Sequence, residues 1–362
     1  MNGWTPKHNL GGGMLIDIPT KSKYQVLADL LRSEIKSKSC KPDNPFYSES
    51  QLCEKYNVSH ITVRQALGIL TAEGLLSRIQ GKGTFVKEPP VKLQRFKILI
   101  LDTALNKHSF FFDIIKGCES ASNAKAELSI QTYRHEDASF AAAVEASTID
   151  GFFIMGAPKA EETPALEKTR IPFVLVGAYL ANENFHAVYP DDYQGMFQLT
   201  EYLIKRGHRK IALLGGFHSK SPLEKDFLRG YQDALNAYNI PFRNKWCSES
   251  EWTQEEGCRL TRELLKLKDL PTAILTGDDT IAAGVIRVLR EKKIRIPQEM
   301  AVVGFNDLDF ATIVEPRLTT MRMPRFEMGR VAYDMLSKLV KGEKVTQKRV
   351  VLKTKLIIRE SS

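Results

Sequence analysis

The sequence predicts two structural units of different classes, an N-terminal winged helix-turn-helix and a two-lobed α/β domain built on parallel sheets. The first is indicated by three helix-forming segments and a short hairpin within residues 23–87. The second is indicated by continuous apolar runs that alternate with amphipathic segments, which is typical of parallel strands covered on both faces. At 362 residues the chain is long enough for both units.

The composition is that of an ordinary globular chain, with 43% hydrophobic and 26% charged residues. No apolar run approaches the roughly 18 residues that span a bilayer. Residues 1–22 are interpreted as a flexible tail, with Met14 as an alternative start, and residues 1–13 lack the apolar core of an export signal. The five cysteines are never closely paired, so neither disulfides nor a metal site is predicted. We expect a cytoplasmic protein without a cofactor, and the net charge of +9 favours a polyanionic partner only weakly.

Two helices are predicted in the first part of the chain. The first covers residues 23–38, and its apolar residues recur at helical spacing: Leu27, Leu30, Leu31 and Ile35. Ser48 followed by Gln51 is the pattern of a capping box, which starts a short helix that runs to Tyr56. A tight turn is expected directly after it.

Ser59 then caps a longer helix over about residues 60–73, which Gly74 ends. Its buried stripe is predicted to be Val63, Ala66, Leu67 and Leu70. The opposite side, near the N-terminal end, carries His60, Ile61, Arg64 and Gln65. Short helix, turn and longer helix is the order of a helix-turn-helix, whose second helix can read guanine and adenine edges through Arg and Gln. Ser59 and Thr62 suit phosphate oxygens, although exposed polar residues also occur on any solvated helix.

A β-hairpin is predicted after this helix, with strands over residues 76–79 and 84–86 and the tip Gln80-Gly81-Lys82-Gly83. Glycines there permit positive φ and let the backbone approach a phosphate or the minor groove. The same glycines are also ordinary turn residues.

The stretch FYSESQLCEKYNVSHITVRQAL…EGLLSRIQGKGTFV is similar to the gluconate-repressor (GntR) winged-helix family over roughly residues 24–87. With the pattern above, this resemblance gives the expected DNA-binding set: Ser48, Glu49, Ser59, His60, Thr62, Arg64, Gln65, Gly81, Lys82 and Gly83. Two positions depart from the family, because His60 and Ser50 stand where arginines are common. Both changes remove a potential phosphate or guanine contact, so we expect an unusual operator.

Residues 88–95 are predicted to form a linker, because Pro89 and Pro90 hold an extended conformation. Beyond it, apolar runs predict the strands of two α/β lobes within residues 96–362. These runs are residues 97–102, 127–133, 151–156, 172–177, 210–216, 272–277 and 301–305. Ligands bind beyond the carboxyl ends of such strands, so the following loops are the candidate site.

Residues 96–362 resemble the effector domain of the lactose/galactose-repressor (LacI/GalR) family, which is related to periplasmic sugar-binding proteins. The resemblance is carried by FFFDIIKGCE, IDGFFIMG and PTAILTGDDTIAAGVIRVLREKKIRIPQEMAVVGFNDLDFA, among other segments. It implies these effector contacts: Phe110, Phe111, Asp191, Trp252, Asp278 and Asn306. Trp252 would stack on a sugar ring, and carboxylate and amide groups would serve its hydroxyls. Phe227 stands where the family commonly has an arginine, which argues mildly against an anionic effector.

Each effector residue also has a simpler interpretation from the sequence alone. Phe110 and Phe111 could belong to the core, and Trp252 could anchor the start of its helix. Asp278 and Asn306 are residue types that commonly cap helices. Near Phe227, Arg229 and Lys225 are alternative cations whose orientation the sequence leaves open.

A winged helix of this type joined to such a domain resembles the arabinose-repressor group of pentose regulators. We expect a homodimeric repressor of carbohydrate catabolism genes that binds double-stranded operator DNA and is released by a small sugar, a pentose by analogy. A co-repressed regulator or an activator remains an alternative, and a sugar-binding protein without regulation is a distant one. No enzyme is predicted, since nucleophile-elbow, phosphate-loop and dinucleotide motifs are missing from the sequence.

Overall fold

The computed structural model describes residues 21–36, 46–79, 82–87, 93–101, 108–134, 139–145, 148–180, 182–215 and 222–362. Its contacts divide the chain into two compact units, Met1–Lys92 and Leu93–Ser362. Residues 1–20 of the predicted tail and residues 88–92 of the predicted linker lie outside the described residues. Among the described residues, no helix is long and apolar enough to cross a membrane.

The described residues of the first unit form three helices and a two-stranded antiparallel hairpin. In chain order they are α1 (Lys23–Lys36), α2 (Glu49–Tyr56), α3 (His60–Ala72), β1 (Leu76–Ile79) and β2 (Gly83–Val86). The helices and the hairpin enclose one small apolar core: Leu27, Ala28, Leu31, Ile35, Phe46, Leu52, Val63, Ala66, Leu67, Leu70, Leu76 and Val86. This is the predicted winged helix-turn-helix.

One predicted core position on α1 is wrong. Leu30 is 51% exposed, whereas Ala28 is buried. The buried stripe of α1, which faces α3, is centred between Ala28 and Leu31. Each residue is turned by about 100° around the helix axis from the one before it, and this places Leu30 at the edge of the stripe. The turn after α2 is made by Asn57 at φ 50, and α3 is followed by Gly74 at φ 73, a conformation that glycine adopts without strain.

The first lobe of the second unit contains a six-stranded, wholly parallel sheet in the order β13-β7-β6-β5-β3-β4. Its strands are β3 (Gln94–Leu101), β4 (Ala126–Tyr133), β5 (Gly151–Met155), β6 (Phe173–Val176), β7 (Ala187–Pro190) and β13 (Arg349–Leu352). Its helices are α4 (His108–Ser122), α5 (Phe140–Val144), α6 (Thr163–Lys168) and α11 (Arg325–Val340). The central strands are buried on both faces, as continuous apolar runs predict.

The second lobe repeats this plan in the order β14-β12-β11-β10-β8-β9, with only β14 antiparallel to its neighbour. Its strands are β8 (Ile211–Leu214), β9 (Cys247–Ser248), β10 (Ala273–Thr276), β11 (Ala301–Asn306), β12 (Thr319–Arg322) and β14 (Lys355–Ile357). Its helices are α7 (Asp192–Lys205), α8 (Pro222–Ala237), α9 (Gln254–Leu264) and α10 (Asp279–Glu291). Every apolar run that predicted a strand lies on one.

The chain passes between the two sheets after β7, after β12 and after β13. The first and third passages are joined by a hydrogen bond of 2.9 Å from the Asp191 amide to the Leu352 carbonyl. A Cβ atom on Gly195, in the first turn of α7, would lie 2.9 Å from Thr354 and 3.0 Å from Phe305. The passages therefore pack closely, and the candidate effector residues follow strand ends beside them.

Candidate functional site

The exposed side of α3 forms a reading face made of His60, Ile61, Arg64 and Gln65, all of which are exposed as predicted. The opposite stripe is buried: Val63, Ala66, Leu67 and Leu70. Ile61 is 71% exposed, which suits contact with a thymine methyl group in the major groove. Helix-turn-helix proteins present polar side chains to base edges near the N-terminal end of the second helix of the motif, which is α3 here.

Two serines of the predicted DNA-binding set, Ser48 and Ser59, cap helices as the sequence predicts. The Ser48 hydroxyl accepts from the Gln51 amide at 3.2 Å, and the Gln51 side chain accepts from the Ser48 amide at 2.8 Å. The Ser59 hydroxyl accepts from the Thr62 amide at 3.3 Å and lies 3.0 Å from the Thr62 hydroxyl. A capping serine uses its oxygen as the acceptor, so its hydrogen can still be donated to a phosphate.

Glu49 connects the reading face to the hairpin. Arg64 Nε donates to Glu49 Oε2 at 2.8 Å, and Arg78 Nη2 donates to Glu49 Oε1. The Arg64 guanidinium, and after it that of Arg78, lowers the pKa of Glu49 below its usual value. Both arginines remain more than half exposed. Arg78 was not among the predicted DNA-binding residues, because only the fold brings it to Glu49, 29 positions away.

At the hairpin tip, Lys82 is exposed and its amide donates to the Ile79 carbonyl at 3.0 Å. Gly83 has φ 114, a conformation that other residues rarely adopt, and a Cβ atom there would meet nothing within 4 Å. The glycine therefore serves the turn's backbone conformation and not close packing. Gln80 and Gly81, the other two residues of the predicted tip, lie outside the described residues.

In the second unit, Phe110 and Phe111 lie in the first turns of α4 and are 8% and 4% exposed. Their rings meet edge to face with centroids 5.1 Å apart. Both belong to the core cluster of the lobes. Burial in the core is the simpler interpretation that the sequence offered for this pair, and it is observed here.

Asp278 and Asn306 are brought together, although they follow different strands. Asp278 follows β10 and is 1% exposed, and Asn306 ends β11 and is 4% exposed. Asp278 caps α10 by accepting from the Thr280 amide at 2.6 Å, while its other oxygen accepts from the Asn306 side-chain amide. The carboxylate therefore fixes the orientation of the Asn306 side-chain amide.

Asp191 and Trp252 lie in other parts of the second unit. Asp191 is partly exposed at the first passage between the lobes, and its side chain caps α7 by accepting from the Gln194 amide at 3.0 Å. Trp252 is partly exposed in the bend before α9. Capping is the simpler interpretation that the sequence offered for Asp278, and it is observed there; Asp191 caps a helix as well, which the sequence did not predict.

Two family models match the chain. The gntR family of bacterial regulatory proteins matches residues 23–86, and the periplasmic binding protein-like domain matches residues 200–362. An arabinose metabolism transcriptional repressor from Geobacillus stearothermophilus is 31% identical over 95% of this chain and 98% of its own length. The chain belongs to the GntR-type transcriptional regulators with a LacI-type effector domain.

Further similarity supports this regulator family along the chain. The arabinose metabolism transcriptional repressor of Halalkalibacterium halodurans is 28% identical over 94% of this chain and 97% of its own length. The solved structure of a LacI-family regulatory protein from Chloroflexus aggregans is 28% identical, with a TM-score of 0.65 over 74% of this chain and 98% of that one. The chain is therefore a DNA-binding regulator and not an enzyme.

At the position where regulators of this family commonly carry an arginine, Phe227 is 5% exposed and packs on Phe305 with centroids 4.5 Å apart. The neighbouring Arg229 lies over the Tyr193 ring at 4.6 Å and near Asp226 at 3.6 Å. An aromatic core contact thus takes the place of the usual cation.

One contact that the sequence did not reveal joins the lobes through Tyr179 and Asp226. Tyr179 follows β6 in the first lobe, and its hydroxyl donates to Asp226 Oδ2 on α8 of the second lobe at 2.6 Å. Burial, and then this hydrogen bond, raises the pKa of Tyr179. Because the phenol stays protonated, it is a permanent donor across the lobes at neutral pH.

Asp279, next to the Asp278–Asn306 pair, is wholly buried. Its oxygens accept from the Thr320 hydroxyl at 2.6 Å and the Leu308 amide at 2.7 Å. Burial, and then the neighbouring charge of Asp278, raises its pKa well above the usual value. Asp279 therefore braces the strand ends that carry the candidate effector residues. Within the described residues, no group of His, Cys, Asp or Glu is arranged to hold a metal ion.

Proposed function

We propose that this regulator represses carbohydrate catabolism genes in the cytoplasm, binds operator DNA as a homodimer, and is released by a small sugar, with L-arabinose favoured. The observation that carries the proposal is the union of an exposed reading face with a buried, polyol-compatible Asp278–Asn306 pair in one chain. Similarity over nearly the whole length to an arabinose metabolism transcriptional repressor supports the choice of sugar.

The operator is read by the face on α3, with Arg64 and Gln65 on base edges and Ile61 on a thymine methyl. Phosphates are contacted by the hydroxyls of Ser59 and Thr62. The hairpin tip adds Lys82 and the backbone at Gly83 and Gly81, and Ser48, Glu49 and His60 complete the interface. Two such readers in a homodimer match a pseudo-palindromic operator, because protein symmetry and site symmetry correspond. Light scattering of the purified protein tests the dimer.

The sugar binds between the lobes in this proposal, on Phe110 and Phe111 of the first lobe. Asp191, Asp278 and Asn306 take its hydroxyl groups, and Trp252 stacks on a C–H face. Ligands that favour one arrangement of the lobes shift the equilibrium by their differential affinity alone. A coupling of about 1–3 kcal/mol changes operator affinity roughly 5- to 150-fold, which suffices for regulation.

A thermal-shift screen against free and phosphorylated sugars tests the effector. A sugar at a hundred times its Kd stabilises the folded protein by about 2.7 kcal/mol, a readily measured shift. We expect a shift with L-arabinose, its loss in Trp252→Ala, and its retention in Phe242→Ala, which removes an exposed aromatic of the same lobe outside the proposed site. Stabilisation only by phosphorylated sugars would contradict the neutral-pentose assignment and would agree poorly with Phe227 at the usual arginine position.

A further inference from the structure

Arg325 is a buried cation in an unfavourable position. It is the first residue of α11, directly after the second passage between the lobes, and is only 8% exposed. Burial of a guanidinium is costly unless it is fully hydrogen-bonded. A positive charge at a helix N-terminus also opposes the helix dipole. Such a placement requires strong compensating contacts, and their partners indicate what the residue does.

Those contacts reach both lobes. Arg325 Nε and Nη2 donate to Asp113 Oδ2 at 3.1 and 2.9 Å, and Asp113 lies on α4 of the first lobe. On the other side, Nη1 donates to the Asn306 carbonyl and Nη2 to the Asp307 carbonyl at 3.3 Å. One planar guanidinium thus links the first lobe to the end of β11 in the second. The guanidinium carbon also lies 5.9 Å from the centre of the Phe110 ring.

The backbone that Arg325 holds is strained. Asn306 has φ 105 and Asp307 has φ 53, both in the region that residues other than glycine rarely adopt. Such conformations persist only when the surroundings enforce them. The carbonyls of both residues are held by Arg325, and the Asn306 side chain is held by Asp278. Arg325 thus holds the backbone of Asn306, and Arg325 is itself anchored by Asp113, which lies 212 positions from it along the chain.

We propose that Arg325 is a positioning residue for the effector site: anchored by Asp113, it holds the Asn306 backbone so that the Asn306 side chain meets the sugar above Phe110. The inference rests on the proposed function, since it names what sets the affinity of the same site. Four of the five N–H groups of the guanidinium donate to Asp113, Asn306 and Asp307. In this proposal it acts through Asn306 and not as a counter-ion for an anionic effector. Lysine cannot replace it, because an ammonium group is a point charge without the planar fork.

The ligand-free protein gives the first test, by hydrogen–deuterium exchange of the backbone amides over residues 305–308. In Arg325→Leu these amides should exchange faster, because the carbonyls that fix their strained backbone lose their donor. Arg330→Leu is the matched control, since it removes an exposed arginine of the same helix that pairs with Glu327 at 3.2 Å. Equal exchange in wild type and Arg325→Leu would overturn the proposal.

The second test measures the Kd for L-arabinose in the full chain by calorimetry. We expect Arg325→Leu to weaken binding roughly 5- to 150-fold, the range of ordinary coupling between sites. Arg325→Lys should fail to restore it, and Asp113→Asn, which keeps an acceptor oxygen, should weaken it less in the same direction. Arg330→Leu should bind as wild type does.

Unchanged sugar affinity in Arg325→Leu, or full restoration by Arg325→Lys, would overturn the positioning role. Equal losses of sugar affinity and operator affinity would also overturn it, because they would indicate a general effect on folding. Failure of the wild-type protein to bind L-arabinose would instead contradict the pentose assignment, and the exchange experiment would then decide on Arg325 alone.

Discussion

The two units of this regulator place their candidate residues in opposite surroundings. On the reading face, Arg64 is ion-paired with Glu49 yet its side chain is 68% exposed. In the effector unit, Asp278 and Asn306 are 1% and 4% exposed and bonded to each other. A polyanion can meet the reading face without moving the core, whereas a sugar must join hydrogen bonds that the protein already makes.

The difference predicts which substitutions separate binding from folding. Exposed ion pairs contribute little to stability, so the first unit can lose one on its reading face without unfolding. When one member of a buried hydrogen bond is removed, the other member is left without a partner, and the full cost of its desolvation lowers the free energy of unfolding. Substitution of Asp278 or Asn306 should therefore lower the free energy of unfolding even without ligand. Substitution of a residue on the reading face should leave it nearly unchanged.

The largest expected effect is that of Asp278→Ala, which removes a helix cap and the partner of the buried Asn306 amide. A lost cap costs about 0.5–2 kcal/mol, and an unsatisfied buried group about 1–3 kcal/mol. We expect a loss of about 2–4 kcal/mol in the free energy of unfolding, measured in urea. Asp191→Ala is the control, because it removes a partly exposed cap and should cost only about 1 kcal/mol. The reverse ranking would show that burial does not distinguish the two aspartates.

The next effect is on the pH dependence of stability, through Asp279. Its folded pKa is raised, so its favourable contribution is complete below the unfolded pKa, near 3.8, and is lost as pH rises through the folded value. Each unit of pKa difference corresponds to about 1.4 kcal/mol. Asp279→Asn should flatten this fall between pH 5 and 8, since the Thr320 hydroxyl can reverse to accept from the amide.

Asp269→Asn is the control for this pH experiment. Hydrogen bonds from Lys210 and Lys245 lower the pKa of Asp269 to about 2, so this group is ionised throughout the range in both states. Its replacement should leave the slope between pH 5 and 8 unchanged. An unchanged slope in Asp279→Asn as well would mean that the buried carboxyl is ionised in the folded protein.

A smaller effect is expected from Tyr179→Phe, which removes the hydroxyl that joins the lobes at Asp226. The loss should be about 1 kcal/mol, the net value of one hydrogen bond, and should also increase the radius of gyration in small-angle scattering. Tyr193→Phe removes a comparable bond, to Asp233 at 3.0 Å, within the second lobe. This control should leave the radius of gyration unchanged, and the same change in both variants would refute the assignment of Tyr179 as a contact between lobes.

The smallest effect on stability is that of Arg64→Ala, below about 0.5 kcal/mol, because the side chain is exposed. Its operator affinity should nevertheless fall roughly 5- to 150-fold, the equivalent of the 1–3 kcal/mol that a base contact contributes. Arg32→Ala, which breaks an ion pair with Glu73 away from the reading face, should bind operator as wild type does. An unfolding effect as large as that of Asp278→Ala would remove the contrast between the two units.

The sequence predicted the first unit in more detail than the effector site, because the sequence patterns that indicate the first unit are local. The Ser48 capping box, the Ser59 cap and the buried stripe of α3 each depend on residues within a few turns of one another. Leu30 has the spacing of a buried residue but lies at the edge of the apolar stripe, and the helical spacing alone does not distinguish the edge from the centre. Arg78 was missed because its contact with Glu49 exists only once the hairpin folds back.

The strands of the second unit were predicted where their sequence is a continuous apolar run, and missed where polar or charged residues or a proline interrupt the run. The second group is β7, β9, β12, β13 and β14, and all of these strands except β9 adjoin a passage between the lobes. The Asp278–Asn306 pair followed from family resemblance, but their hydrogen bond did not. Arg325 and Asp113 carried no sequence signal, because their contact spans 212 positions.

We propose that binding of a sugar at the buried effector site releases DNA from the exposed reading face. It is tested most directly by fluorescence anisotropy of an operator duplex, selected from random sequence by the ligand-free protein, during titration with L-arabinose. We expect tight binding without sugar and a loss of anisotropy as the sugar is added, with no release in Asp278→Ala. Unchanged or tighter binding at saturating L-arabinose, under conditions where the sugar is shown to bind, would contradict it.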